Sequence, residues 1–276
     1  MMAQLIDRAA LKAETRTLLR SAQISPVAMT VLYLGIVTVM DAADTITASA
    51  AADGHLIGLF VSVLTTLAGI VLSAGFCLYC MAIRRGERAE FFTLFDGFSF
   101  VGKIIALNLL TILFVGLWST LFVIPGIVAS YRYRFALYNL YENPSLRVME
   151  ALAMSKQQTR GYKLQLLVLD LSYCGWSILA SLPLLVMNFA SNYQTLQQML
   201  GGTTSAAVAA VAGMSPLVMI LIADIWSLLV SVFYLPHFHC TDLGYYEIAQ
   251  QTSGIRPGTP LRNNYNANNA DTPDGW

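Results

Sequence analysis

Long apolar segments separated by short cationic ones are the main feature of this chain. No Lys or Arg occurs from residue 21 to 83 or from residue 164 to 255. An apolar run of about 20 residues is long enough to cross the hydrocarbon core of a bilayer as a helix. Within residues 26–250, the pattern predicts an all-α polytopic transmembrane bundle of about six helices. The predicted helices are 27–45, 56–83, 101–123, 126–141, 164–189 and 214–237.

The N-terminal residues 1–25 are predicted to form an amphipathic helix on the cytoplasmic surface. Four cations recur at every fourth position and therefore share one face of this helix. They are Arg8, Lys12, Arg16 and Arg20. Near a membrane surface, each such charge attracts anionic lipid headgroups by about 1 kcal/mol. A plain solvated helix face is the alternative.

Three other segments are expected outside the hydrocarbon core. Residues 91–100 are short and aromatic, which favours a position in the membrane interface. Residues 144–160 are predicted to form a second cytoplasmic surface helix, with Asn143 as its N-cap and Pro144 as its first residue. The tail, residues 251–276, is rich in Asn, Pro, Gly and Asp and is predicted to be disordered.

The cationic patches indicate which side of the membrane each connection faces. Cytoplasmic connections contain an excess of Lys and Arg, so both ends of the chain are expected in the cytoplasm. A tight reversal at Pro125-Gly126 would keep the cations of residues 147–163 on the same side. If the helix only kinks there, one crossing is lost and those cations lie outside.

Composition supports lipid as the outer solvent of the bundle. The 276 residues are 56% apolar and 12% charged, whereas soluble domains contain about 25% charged residues. The formal net charge is zero, which gives no reason to expect a nucleic-acid partner.

Five polar residues inside the predicted helices are the candidates for a functional site; they are Arg132, Arg134, Asp170, Asp224 and Asn108. A charge at the centre of a membrane helix costs roughly 2.5–3.5 kcal/mol, so each is expected to have a partner or to contact water. Matching depths, at about 1.5 Å per residue, predict an Arg134–Asp224 ion pair and an Asp170–Asn108 hydrogen bond. Such groups either fix the order of the helices or line a path for protons, ions or solutes.

Catalytic, cofactor and metal motifs do not stand out. Cys77 and Cys80 form a CxxC inside an apolar helix, with no His nearby in the sequence. His237, His239 and Cys240 form a short His-x-His-Cys motif, whereas a metal site needs three or four converging donors. We therefore expect buried small residues and interfacial polar residues, with no catalytic residue, no cofactor and no metal.

Small residues recur at every fourth position in the second and sixth predicted helices. They are Thr65, Gly69, Ser73 and Cys77, and then Ala223, Ser227 and Ser231. Such stripes let helix backbones approach closely in lipid. Packing within the bundle explains them, and a homodimer face is the alternative.

Short motifs along the chain, taken in order, resemble one family. They are Leu117-Trp118, Phe122–Ile127 with Tyr131 and Tyr133, Glu150-Ala151 with Ser155, Gly161–Lys163, Leu171–Trp176, and Pro236 before Thr241 and Tyr245-Tyr246. The stretches from Arg8 to Leu19 and Phe95–Phe98 fit as well. Over about residues 4–250 the chain resembles the DUF975 family of uncharacterised polytopic membrane proteins. The resemblance implies a six-helix bundle in a bacterial cytoplasmic membrane and supplies no catalytic residues.

The surface helices, the small-residue stripes and the missing catalytic set favour a non-enzymatic membrane protein. It is expected to act through lipid or protein partners in assembly, scaffolding or envelope sensing. The expected partners are the bilayer with its anionic headgroups, and another membrane protein or a second copy of the chain. The alternative is a small-solute or ion transporter or permease subunit that uses Asp170, Arg134 and Asp224.

Overall fold

A computed structural model describes residues 5–50 and 55–257, and these ranges are mostly helical and contain no strand. The helices are α1 (Arg8–Ser21), α2 (Pro26–Ala50), α3 (His55–Arg85), a 3₁₀ helix (Phe91–Phe100), α4 (Val101–Leu121), α5 (Val123–Tyr133), α6 (Ala136–Glu142), α7 (Val148–Gln158), α8 (Lys163–Met199), α9 (Ala206–Ala212) and α10 (Pro216–Ser253). The predicted all-α class is confirmed. The tail predicted to be disordered is helical up to Ser253, and residues 258–276 lie outside the described residues.

Within residues 5–50 and 55–257, five helical segments are long and apolar enough to cross a membrane, where the sequence predicts about six. They are Pro26–Thr47, Leu56–Arg85, Phe91–Leu121, Lys163–Met199 and Leu217–Ser253. Few of their side chains are buried within the protein, and an exposed apolar surface of this extent is typical of contact with lipid. The difference lies in the predicted helix 126–141, which the structure divides in two.

The described chain divides into two compact units. The first comprises Leu109–Lys163 and residues 246–257. The second comprises Leu5–Asn108 and Leu164–Tyr245.

In the first unit, a hydroxyl group separates α5 from α6. The Ser155 hydroxyl donates to the carbonyl oxygen of Arg132 (2.8 Å) and accepts from the N–H of Phe135 (3.1 Å). These two backbone groups therefore bond to the hydroxyl instead of to partners within the helix, and neither is left without a partner. A side chain inserted between helical hydrogen bonds in this way interrupts a helix. The prediction of one continuous helix is wrong here because the inserted side chain comes from α7.

The chain reverses direction just before Pro125. Phe122 has extended backbone angles (φ −157°, ψ 147°). The ring centroids of Phe114 and Tyr133 lie 5.8 Å apart, so α4 and α5 are antiparallel. Gly126 permits this close approach, since a Cβ there would collide with a side chain of α4.

In the same unit, α7 begins four residues later than predicted. Glu150 accepts from the backbone N–H of Arg147 (3.1 Å), which makes Arg147 the N-cap. Asn143 instead ends α6, and its side-chain oxygen accepts from the N–H of Ser145 (3.1 Å). Such a local turn competes with helix initiation, and the prediction that Asn143 caps this helix is wrong.

In the second unit, the aromatic segment 91–100 packs along α3 as the start of the third membrane segment. The backbone of Leu94 occupies the space that a Cβ on Gly75 would need. A Cβ on Gly97 would lie 2.8 Å from the carbonyl oxygen of Val71. These contacts lie about 15–20 Å from the end of α3, at 1.5 Å per residue. The segment is therefore packed against α3, and its position in the membrane interface stays a prediction.

Helices α8 and α10 are longer than predicted and each contains a proline. Pro183 has no N–H for the carbonyl oxygen of Leu179, four residues earlier. Trp226 of α10 supplies the missing donor, because its indole N–H lies 2.8 Å from that oxygen. Hydrocarbon offers no alternative partner, so this hydrogen bond links the two helices at the proline.

Helix α1 is held against its unit on one face. Leu11, Thr15 and Leu19, one turn apart, are buried. The hydroxyl of Thr15 lies 3.4 Å from that of Thr241 in α10. Gly244 leaves room for this packing, since a Cβ there would lie 2.7 Å from a methyl group of Leu11.

Arg84 adds an ionic contact to this docking. Its side chain is only 4% exposed, pairs with Glu14 of α1 at 3.3 Å and donates to the carbonyl oxygen of Cys240 at 3.2 Å. The predicted surface helix is therefore fixed to α3 and α10 as well as being suited to the membrane surface.

Trp226→Phe is expected to destabilise the protein, because it leaves the carbonyl oxygen of Leu179 unpaired in hydrocarbon. The expected loss is about 1–3 kcal/mol in the free energy of unfolding. Pro183→Ala restores a backbone donor in α8, so the double variant should recover most of the loss. Denaturation of the wild type, the two single variants and the double variant in one detergent measures the coupling between Trp226 and Pro183. Trp176→Phe serves as the control. An equal loss with and without Pro183 would contradict the assignment.

Arg84→Met is expected to release α1, since it removes the donor to Cys240 and the partner of Glu14. The local opening free energy should fall by about 1–3 kcal/mol. Glu14→Gln should have a smaller effect, because Glu14 is 54% exposed and exposed pairs contribute little. Hydrogen exchange over residues 8–21 measures both, and unchanged exchange in Arg84→Met would refute the docking role.

Candidate functional site

A cleft of about 280 Å³ lies where α1 meets α8 and α10 in the second unit. Two cations of α1 face polar and aromatic side chains of the other two helices. The lining residues are Lys12, Arg16, Ser172, Tyr173, Trp176, Phe233, Tyr234 and His237. The cleft therefore combines positive charge with aromatic walls, a combination suited to a ligand that has an anionic and an apolar part.

Lys12 is the best positioned of the two cations. Its Nζ donates to the Ser172 hydroxyl (2.9 Å) and lies 4.4 Å from the ring centroid of Tyr173. Partial burial, and then the positive charge of Arg8, lower the pKa of Lys12 below its ordinary value. Both causes disfavour the charged form of Lys12, and an anion bound in the cleft would favour that form.

The aromatic wall is open on its outer side. Trp176 stacks with Tyr234 at a centroid distance of 6.5 Å, and Tyr173 meets Phe238 edge-on at 5.4 Å. Trp176 and Phe233 are 45% and 69% exposed. An exposed wall of Trp and Tyr is typical of the level at which hydrocarbon meets water.

The five polar residues predicted from the sequence are divided between the two units. Arg132 and Arg134 belong to the first, and Asn108, Asp170 and Asp224 to the second. The Arg134 guanidinium lies 5.7 Å from the ring centroid of Tyr131. The Arg134–Asp224 ion pair and the Asp170–Asn108 hydrogen bond stay predictions.

Asp224 faces α2, an arrangement that the sequence analysis missed. Its carboxylate lies beside the hydroxyl of Thr38 and the carboxylate of Asp41. Asp44, one turn further along α2, accepts from Ser62 at 3.0 Å. One oxygen of Asp44 and one of Asp224 are buried without a hydrogen-bond partner among the described residues. Three carboxylates thus gather near one end of the unit.

The structure brings the CxxC and the His-x-His-Cys motif together. Cys77 Sγ lies 3.6 Å from Nδ1 of His239, and Cys240 Sγ lies 3.9 Å from the carbonyl oxygen of Cys80. The two motifs are about 160 residues apart, so their proximity is not visible in the sequence. Among the residues that the structure describes, no group of three His, Cys, Asp or Glu has the arrangement of a metal site.

A buried polar network in the first unit was also missed. Asn139 and Gln158 exchange two hydrogen bonds (2.8 and 2.9 Å) and are almost inaccessible to solvent. The Tyr246 hydroxyl donates to Asn139 (3.1 Å), and Gln250 donates to that hydroxyl (2.6 Å) and to Glu142 (2.7 Å). The network joins α6 and α7 to the end of α10. In the sequence, the amide side chains of Asn139 and Gln158 on otherwise apolar helix faces could have indicated this network.

Residues 120–253 match the family model DUF975, described as a protein of unknown function. No curated protein and no solved structure matches the chain. The matched range includes the Ser155 contact between α5 and α7 and all five residues of the polar network. The similarities noted from Arg8 to Leu19 and at Phe95–Phe98 lie outside it. Over residues 120–253, the match confirms the resemblance to the DUF975 family that the sequence motifs predict.

Proposed function

We propose that this protein is a non-enzymatic integral membrane protein that binds an anionic phospholipid in the cleft between α1, α8 and α10. The observation that supports the proposal most is the position of Lys12 and Arg16 opposite an exposed aromatic wall. A bound lipid would couple the protein to the composition of the bilayer, which suits assembly, scaffolding or envelope sensing with a membrane-protein partner.

The chemistry of the cleft fits a lipid headgroup. Lys and Arg form charge-assisted hydrogen bonds with phosphate oxygens. Trp176 and Phe233 are exposed beside them and would contact the glycerol and the upper part of an acyl chain. Arg84 holds α1 in place before any ligand arrives, and such preorganisation reduces the entropy lost on binding.

The orientation follows from the distribution of charge. We assign the cation-rich side to the cytoplasm of a bacterial cell, with both termini on that side. This assignment needs an even number of crossings. Because α5 runs antiparallel to α4, it leads the chain back toward the side on which α4 begins, which supports the assignment.

The test compares two double variants of the full-length protein that remove the same charge from the same helix. Lys12→Gln/Arg16→Gln removes the cations of the cleft, whereas Arg8→Gln/Arg20→Gln removes the flanking cations that do not line it. Affinity for phosphatidylglycerol, measured by native mass spectrometry of detergent complexes, should fall at least about tenfold in the first variant only, as expected for lost charge-assisted contacts. Phosphatidylcholine serves as the neutral reference.

Equal losses in both double variants would indicate general surface attraction and contradict a specific cleft. Unchanged affinity in Lys12→Gln/Arg16→Gln would remove the proposal altogether.

The second candidate function is transport, and the buried carboxylate oxygens of Asp44 and Asp224 that lack partners in the described chain favour it. Intramembrane carboxylates of this kind are typical of proton relays.

If the protein transports protons, the full-length protein in proteoliposomes should admit them under a membrane potential. Asp224→Asn should abolish this flux, and Asp96→Asn, an exposed carboxylate of the 3₁₀ helix, should not. Flux equal to that of protein-free liposomes would refute transport of protons.

A further inference from the structure

Four cations of the first unit lie together around the end of α5 and the turn after α7; they are Arg132, Lys156, Arg160 and Lys163. Lys163 is within electrostatic range of the other three. No carboxylate among the described residues pairs with any of them. Like charges held this close repel one another, so the group would be stabilised by an anion.

The fold fixes these cations rather than leaving them on flexible ends. The Ser155 hydroxyl donates to the backbone carbonyl oxygen of Arg132 and so joins the end of α5 to α7. The turn after α7 is closed by a hydrogen bond from the N–H of Tyr162 to the carbonyl oxygen of Thr159 (3.2 Å) and by the positive φ of Gly161 (85°). Tyr162 is only 2% exposed and anchors the turn on which Arg160 and Lys163 lie.

One hydrogen-bond donor of the Arg132 side chain lacks an acceptor in the part of the chain that the structure describes. Its Nε is buried and has no hydrogen-bond partner among the described residues. A buried donor without an acceptor is unfavourable. Two carboxylates of the same unit are engaged elsewhere, Glu142 with Gln250 (2.7 Å) and Glu150 with the backbone of Arg147 (3.1 Å).

We propose that Arg132, Lys156, Arg160 and Lys163 form a binding site for a phosphate group, from a lipid headgroup or from a soluble phosphorylated molecule. Phosphate offers several charged acceptors at once. The planar donor fork of arginine matches two of its oxygens, and lysine contributes compact positive charge. This site shares no residue with the cleft at Lys12 and Arg16 and does not depend on lipid binding there.

The experiment uses the full-length protein in detergent, in the Lys12→Gln/Arg16→Gln background, so that the cleft makes no contribution. One arm titrates inorganic phosphate and the other phosphatidylglycerol in mixed micelles, both at constant ionic strength and followed by calorimetry. Arg132→Gln and, separately, Lys156→Gln/Arg160→Gln should weaken binding at least about tenfold, as expected for lost charge-assisted hydrogen bonds. The matched control is Arg147→Gln, which removes an exposed charge from the other end of α7.

Binding of phosphate that depends on the four cations supports the proposal and indicates a soluble ligand. Binding of phosphatidylglycerol alone, with the same dependence, supports it and indicates a headgroup. Absence of binding in both arms overturns the proposal, as does an equal loss in Arg147→Gln. Lys156 and Arg160 are exposed, so their double variant keeps the test valid even if Arg132→Gln does not fold.

Discussion

A buried arginine at the end of α3 fixes the N-terminal helix to the membrane helices. Arg84 is 4% exposed and joins Glu14 of α1 to the backbone of α10 at Cys240. The other contacts of α1 with the unit include one apolar stripe and the hydrogen bonds of Thr15 and Lys12. Together with the Arg84 contact, they hold Lys12 and Arg16 beside the aromatic residues of α8 and α10. The cleft, and with it the proposed function, depends on this docking.

Within the membrane helices, side chains likewise satisfy polar groups that would otherwise be unpaired. Hydrocarbon cannot satisfy a backbone carbonyl or N–H, so each interruption of a helix needs a side chain nearby. Trp226 supplies a donor where Pro183 removes one. Ser155 supplies both a donor and an acceptor between α5 and α6. These side chains belong to neighbouring elements, so each also fixes how two helices pack.

Hydrophobic runs were sufficient to predict the fold class and the approximate positions of the long helices, because length and apolarity are local properties of the chain. The division of the fourth predicted helix could not be predicted, since its cause is a hydroxyl in α7. The helix α10 extends to Ser253, well past its apolar run, because Tyr246 and Gln250 form hydrogen bonds with α6 there. At the candidate site, the cation stripe of α1 was visible in the sequence, but its aromatic partners come from two distant helices.

In both proposed sites, clustered cations would have a phosphate group as their counterion. The most direct test of this account is photo-cross-linking of the full-length protein in bilayers with a phosphatidylglycerol that has a diazirine on one acyl chain. The account predicts adducts concentrated on Trp176 and Phe233, and competition by unlabelled phosphatidylglycerol but not by phosphatidylcholine. Adducts spread evenly over the membrane helices, or equal labelling by a phosphatidylcholine probe, would contradict it.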